Sequence, residues 1–353
     1  MSVSSTIPKL SVCIPTYNRL PQLRRLLKAL LPQLTASCEL VILDNCSSEA
    51  VEPGIRDLIE GFTACEIRII RHPVNVGGNA NILRCFEVAR GEWVWPFGDD
   101  DLPTDQAVAT VLEEAQTEPE VIFINFRSNI LDLTGTSRTM TVSADGLEEF
   151  VKAWDNFSNL LFISAGLYRR TAITSKICFA YSFIDTCGPH LALLMITLIK
   201  TGGITRFSQR KTIEWALPED GEQWDHSVVH KRLLRLLDLI PTSELRELWY
   251  QKISTESPPP IRSLLSLFKF VVSKKGQLEP VREQLEMASY LAVMLPGYRL
   301  RAPLIWLTAY SASFFWLPFY LVWLSVPSSH PQSLSRYGQE PDIMTQFLAN
   351  KRG

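Results

Sequence analysis

Three short apolar runs in the first hundred residues each end against a polar cluster. Leu10–Ile14 is closed by Pro15-Thr16-Tyr17-Asn18-Arg19, Leu40–Leu43 by Asp44-Asn45-Cys46-Ser47-Ser48, and Glu92–Phe97 by Gly98-Asp99-Asp100-Asp101. Brief, continuously apolar stretches suit strands buried on both faces. Between the first two, Leu23, Leu26, Leu27, Leu30 and Leu31 recur at helical spacing, with Arg24, Arg25 and Lys28 opposite and Pro21 where a first helical turn tolerates it. Ile67–Ile70 reads as a further strand, Asn79–Arg90 as a helix ended by Gly91, and Val121–Phe126 as a fifth strand. This alternation predicts an α/β layer fold. In an open α/β sheet, ligands bind in the crevice beyond the carboxyl ends of the strands, which is where the three polar clusters fall.

Two more strands are expected at Leu160–Leu167 and Ile204–Ile213, with a helix across His190–Ile199. Lys231–Lys252 reads as helical, and Ser257-Pro258-Pro259-Pro260 as a linker or rigid bend. With 353 residues, 46% of them hydrophobic, the chain has material for a sizeable core in one large domain or two ordinary ones. Lys plus Arg number 35 against 37 Asp plus Glu, a balance that argues against a dedicated nucleic-acid binder. Seven cysteines without a C-x-x-C pair read as reduced thiols. Met1–Ile14 lacks the basic and apolar regions of a signal peptide, so the catalytic part is expected in the cytoplasm.

A mean hydropathy of +0.06 is high for a soluble enzyme, and its source lies near the C-terminal end. Ala302–Ser335 holds no Lys, Arg, Asp or Glu, and its centre, Leu304–Val326, is long enough for a membrane span. Trp306, Tyr310, Trp316, Tyr320 and Trp323 favour the membrane interface, and Arg299, Arg301 and Arg336 flank the segment. Pro318 interrupts it, so an in-plane or re-entrant hairpin competes with a straight span, and a buried helix pair competes with both. Membrane association through about residues 302–327 is the expectation.

Three adjacent carboxylates after an apolar strand repel one another, and a hard divalent cation such as Mn²⁺ or Mg²⁺ relieves this while sharing its ligands with a diphosphate. A solvated acidic turn ahead of Pro103 is the plainer alternative for Asp99–Asp101. Leu10–Arg19, then Val41-Ile42-Leu43-Asp44-Asn45, then Asn75-Val76-Gly77-Gly78-Asn79, then Ala89–Trp95 leading into Gly98–Asp101 together resemble a family 2 glycosyltransferase of the GT-A fold, over roughly residues 8–130. Ile163-Ser164-Ala165 and the Asp185–His190 region are similar to the bacterial, abequosyltransferase-like branch that builds surface polysaccharide.

The resemblance implies a Rossmann-like mixed sheet flanked by helices. It sets a glycosyltransferase domain at 1–225, with a donor half at about 8–130 and an acceptor half at about 131–225, followed by a helical C-terminal region at 226–353. It further implies an inverting transfer from a nucleotide diphosphate-sugar, UDP or dTDP favoured, to a saccharide acceptor. A polyprenyl diphosphate-linked acceptor at the cytoplasmic face of the inner (plasma) membrane follows from the hydrophobic segment.

On this reading Thr16, Tyr17 and Arg19 line the nucleotide pocket, Asp44 accepts from the base, and Asn75, Gly77, Gly78 and Asn79 shape the wall beside the nucleoside. Asp99 and Asp100 belong to the donor site, and Asp101 with Asp99 holds the metal. Asp185 is the candidate base, with an N-cap for the His190 helix as its alternative, and Glu219 and Asp220 in a loop with Trp215 and Trp224 are the fallback.

His226 and His230 at i, i+4 read as a surface pair, because Ser227 stands where a zinc motif needs Glu. His190 reads as a hydrogen-bonded core residue, and Arg169 and Arg170 as a solvated strand end or contacts to an acceptor phosphate. A nucleotidylyltransferase or a dinucleotide oxidoreductase needs a Gly-rich first turn, which Pro15–Arg19 lacks. A catalytically inactive, membrane-bound partner protein requires a degraded metal motif, yet Asp44, Asp99 and Asp101 all stand.

Overall fold

Four parallel strands form one half of a mixed sheet: β1 (Leu10–Thr16), β2 (Cys38–Asp44), β3 (Glu66–Arg71) and β4 (Trp93–Pro96), in the order β3-β2-β1-β4. Their register sets Thr16 level with Asp44, and Asp44 level with Arg71, so the polar clusters emerge along one edge. The helices α1 (Leu20–Leu30), α2 (Val51–Ile59) and α3 (Gly78–Val88) are the crossovers that parallel pairing demands. Leu23, Leu26, Leu27 and Leu30 of α1 are buried against β1, β2 and β4 in the main core. This is a computed structural model, described over residues 7–215, 232–256, 267–268, 271, 282–299 and 301–325.

The sheet continues past β4 through β8 (Gly166–Arg169), β6 (Val121–Ser128), β9 (Ile204–Glu214) and the short β5 (Leu102–Pro103), while β7 (Val142–Asp145) pairs with β9. β8 runs antiparallel to both β4 and β6, which makes the sheet mixed. α4 (Ala107–Glu114) and the apolar α5 (Pro189–Thr201) complete the layers in this part of the chain.

Several expectations are corrected. Leu160–Leu167 is not one strand: Asn156 accepts from the Asn159 N–H and starts a helix at Phe157–Leu161, a 3₁₀ turn follows, and only Gly166 onward pairs in the sheet. A short apolar run fits a buried helix as well as a strand, and here the cap decides. Gly91 does not end α3, which stops at Val88 with an extended Ala89. A Cβ on Gly91 would lie 2.7 Å from the Ser11 backbone nitrogen, so the glycine serves close approach to β1.

The chain divides into two compact units, Met1–Glu222 and Gln223–Gly353. In the second, the expected long helix from Lys231 is a 3₁₀ segment, Leu234–Leu239, followed by α6 (Ser243–Glu256). Ile240 precedes Pro241 and is held extended, which separates the two. α7 (Arg282–Met294) and α8 (Arg301–Ser325) follow, with Leu267, Val271, Leu285, Ala309 and Ala312 in a small core. α8 runs on through Pro318, so the hairpin that competed with a straight helix does not form there. Among the described residues, no helix is long and apolar enough to cross a membrane. The Pro258–Pro260 bend lies outside the described residues.

Candidate active site

The loop after β4 carries the three aspartates back against β1. Asp99 is buried, and its Oδ2 accepts a 2.7 Å hydrogen bond from Thr16 Oγ1 at the end of β1. Asp101, 2% exposed, accepts at 2.5 Å from Ser164 Oγ, which itself accepts from the Gly98 N–H at 2.8 Å. Trp95 Nε1 donates to the Ser164 carbonyl at 2.7 Å and completes the brace. Gly98 is required by proximity, because a Cβ there would sit 2.5 Å from Asp101 Oδ2. Asp100 is the half-buried member: Arg19 Nη1 pairs with its Oδ2 at 2.6 Å and lies 3.6 Å from Asp99 Oδ1, and Arg25 Nη2 donates to its carbonyl at 2.8 Å.

Burial raises the Asp99 carboxyl to about 7; the Thr16 bond and Arg19 oppose the rise, and the Asp100 charge adds to it. Asp101 is pushed well above the carboxylate range, first by burial and then by the charges of Asp100 and Asp99, against the Ser164 bond. Two buried carboxylates that bind protons this strongly are suited to a hard divalent cation, which would take the place of the protons. Among the described residues, no three His, Cys, Asp or Glu side chains converge as a ready-made metal cage. Asp99 and Asp101 would supply two carboxylate ligands to such an ion, and the rest of its shell would come from ligand oxygens and water.

At the end of β2, Asp44 is buried and engaged within the protein. Its Oδ1 accepts from the Ser47 N–H at 2.8 Å, while Arg71 Nη1 pairs with its Oδ2 at 2.7 Å. Burial raises its proton affinity, but the Ser47 and Val51 bonds and Arg71 outweigh it and hold the carboxyl below its usual range. The next residue, Asn45, donates to Asn75 Oδ1 at 2.8 Å and accepts from the Val76 N–H at 2.9 Å, stitching the β2 end to the turn before α3. Gly77 there has φ +87°, a conformation that favours glycine, and both Gly77 and Gly78 face open space. Tyr17 is 44% exposed at the rim.

The structure thus gathers Thr16, Arg19, Asp99 and Asp100 at one point and braces Asp101 beside them. Asp44 and Asn75 stand at the neighbouring strand ends. Asn79, at the start of α3, turns from the wall expected of it: its Nδ2 donates to the carbonyls of Ile184 and Thr186. Asp185, between those two, is exposed, and it is not an N-cap, since α5 is capped by Gly188 without a side-chain bond.

His190 is buried, with Nε2 donating to the Leu161 carbonyl at 2.9 Å, and burial lowers its proton affinity to about 4. Arg169 is neither a solvated end nor open to a phosphate: it is buried, lies 4.3 Å over the Trp93 ring, pairs with Glu92 and donates to the Val121 carbonyl. Arg170 Nε donates to the Gly91 carbonyl. The Trp215 backbone is held by Asn129, whereas Glu219, Asp220, Trp224, His226 and His230 lie outside the described residues. Sequence reasoning assigned no role to Ser164, Arg25 or Arg71. Arg71 had a usable signal in its place at a strand end, and Ser164 had one in the Ile163-Ser164-Ala165 stretch, which marked the segment without naming its partner.

The family described as "Glycosyl transferase family 2" matches residues 11–179. The abequosyltransferase RfbV of Salmonella typhimurium is 24% identical over 260 residues, covering 69% of this chain and 76% of that protein. Among solved structures, TarS of S. aureus in complex with UDP-GlcNAc aligns with a TM-score of 0.58 at 12% identity, over 86% of this chain and 89% of that one. The mannosyltransferase PcManGT of Pyrobaculum calidifontis, in complex with GDP-Man and Mn²⁺, aligns with a TM-score of 0.52 at 15% identity, covering 88% of each chain. The shared fold is the mixed α/β architecture of GT-A glycosyltransferases.

Proposed function

We propose that the chain is a family 2 glycosyltransferase of polysaccharide biosynthesis, and that it moves one sugar from a UDP- or dTDP-sugar, with inversion, to a saccharide on a polyprenyl diphosphate lipid. The observation that carries the donor side is the brace of Asp99 by Thr16 and of Asp101 by Ser164 at the carboxyl edge of the sheet. TarS and PcManGT, of the same fold, were solved with UDP-GlcNAc and with GDP-Man plus Mn²⁺, which supports a nucleotide-sugar and a divalent ion here.

Asp99 and Asp101 would hold Mn²⁺ or Mg²⁺, which when bound would supply positive charge against the departing nucleoside diphosphate. Arg19 adds a second cation at the same loop and keeps Asp100 turned to itself. Thr16, Tyr17 and Asp44 lie at the strand ends where the nucleotide binds, and the open faces of Gly77 and Gly78 admit the nucleoside. Asp185 takes the proton of the attacking acceptor hydroxyl from the face opposite the leaving group, and inversion follows from that attack.

The enzyme works at the cytoplasmic face of the inner (plasma) membrane. Leu304, Leu307 and Tyr310 of α8, spaced at i, i+3 and i+6, are 49%, 64% and 49% exposed and offer an apolar strip for association with lipid.

Calorimetric titration of UDP, dTDP, GDP and CDP, each with and without Mn²⁺, into wild type and Asp101→Ala tests the reading. Metal-dependent binding of UDP or dTDP, lost in the variant, is expected. Folded protein that binds none of the four, or binds equally well without Asp101, would refute it.

A further inference from the structure

Asn79 ties the donor half of the site to the loop that carries Asp185. Its Nδ2 donates to the Ile184 carbonyl at 2.8 Å and to the Thr186 carbonyl at 2.7 Å, so both protons of one amide are spent on the two residues flanking Asp185. A second tie comes from the other end of α3, where Glu87 Oε1 accepts from the Tyr181 hydroxyl at 2.7 Å. The loop is also wound on itself. Thr186 is fully buried, and its Oγ1 donates to the Phe183 carbonyl at 2.6 Å and accepts from the Gly188 N–H at 3.4 Å. Within this clamped turn Asp185 remains exposed.

α3 follows β3, so Asn79 stands at the carboxyl edge of the sheet, the edge from which the Asp99–Asp101 loop also emerges. We propose that Asn79 is a positioning residue for the transfer step: it holds Asp185 at the rim of the donor crevice and does not contact the nucleoside. This rests on the reading of Asp185 as the base. A primary amide is the side chain suited to the task, since one planar nitrogen reaches two carbonyls that lie two residues apart. Aspartate at this position presents only acceptors to those carbonyls, and alanine presents nothing.

The test uses the full chain as wild type, Asn79→Ala, Asn79→Asp, Asp185→Asn and the Asn79→Ala/Asp185→Asn double variant, with Asn79→Ser, which keeps one donor, as a milder probe. Hydrogen exchange over residues 181–188 and calorimetric UDP·Mn²⁺ binding need no acceptor. Exchange about tenfold faster at 184–188 in both Asn79→Ala and Asn79→Asp, with UDP affinity unchanged within about twofold, is expected. Unchanged exchange overturns the proposal, as does UDP affinity that falls in step with it, which would return Asn79 to the donor wall.

Nucleotide release from a panel of UDP- and dTDP-sugars, with a bacterial lipid extract as acceptor, supplies the kinetic arm. Asn79→Ala should lower turnover by about 100-fold, the scale of a misplaced reacting group, and the double variant should be no slower than Asp185→Asn. Additive losses overturn the proposal. A slow Asp185→Asn beside a wild-type Asn79→Ala defeats this proposal alone. An Asp185→Asn enzyme at the wild-type rate defeats the base reading itself, even if exchange shows that the clamp is real. Should no panel sugar turn over, the exchange and binding arms decide.

Discussion

Replacing Gly98 by alanine isolates how tightly the metal loop is set. The added Cβ lies 2.5 Å from Asp101 Oδ2 and 3.3 Å from both Asp101 Cγ and Asp100 Oδ1. Ordinary contact begins near 3.4 Å, so the carboxylate has to retreat by about 0.9 Å. A free aspartate would do this at little cost, but this one is 2% exposed and bonded to Ser164, which is in turn bonded to the Gly98 N–H. Retreat stretches that hydrogen bond beyond use or shifts the backbone that makes the brace. Leaving a buried hydrogen-bonding group unsatisfied costs roughly 2 kcal/mol, and the same energy in ligand geometry corresponds to about 30-fold in affinity.

Gly98→Ala is therefore expected to lose about 2 kcal/mol in urea unfolding and to bind UDP with Mn²⁺ about 30-fold more weakly, with metal-free binding changed far less. Ser164→Ala, which removes the bond without crowding, should reproduce most of the loss in affinity. A Gly98→Ala protein as stable as wild type, with undiminished UDP·Mn²⁺ affinity, would refute the reasoning: Asp101 would then have room that the geometry denies it.

Two further perturbations test the frame around the site. Glu39 is fully buried, accepts from Ser11 Oγ at 2.5 Å and from the Arg90 N–H at 2.6 Å, and pairs with Arg68 at 3.0 Å. Arg68→Ala leaves that charge without its cation and should cost about 3–5 kcal/mol in urea unfolding, where a loss below about 1 kcal/mol would show the pair to be dispensable. His190 has its proton affinity lowered from 6.5 to about 4 by burial, so between those values the unfolded chain binds a proton that the folded chain refuses. Stability is then complete above about pH 6.5 and lost as pH falls toward 4, by up to about 3 kcal/mol. His190→Gln, which keeps a donor for the Leu161 carbonyl, should flatten unfolding free energy against pH in that window, and an unchanged slope would assign the loss to other groups.

The donor half was legible because its signals are local. An apolar run followed at once by a polar cluster announces a buried strand and its end, and Leu10–Thr16, Cys38–Asp44 and Trp93–Pro96 follow that rule. The Asn75–Asn79 turn and the three aspartates were found for the same reason. Local pattern failed where one composition serves two structures. Leu160–Leu167 is apolar apart from Ser164 and Gly166, and the capping Asn156 upstream of it made part of it a helix.

The sequence by itself determined the alternating layers, the carboxyl-edge site and the residue types suited to a divalent ion and a diphosphate. Only the tertiary structure decided that Ser164 braces Asp101 from 63 positions away, that Arg71 holds Asp44, and that Asn79 grips carbonyls 105 and 107 residues further on. Backbone carbonyls and a serine hydroxyl carry no mark in a sequence that distinguishes one partner from another. Their pairing is set when strands and helices from distant parts of the chain pack together and each buried polar group must find a partner among those within reach.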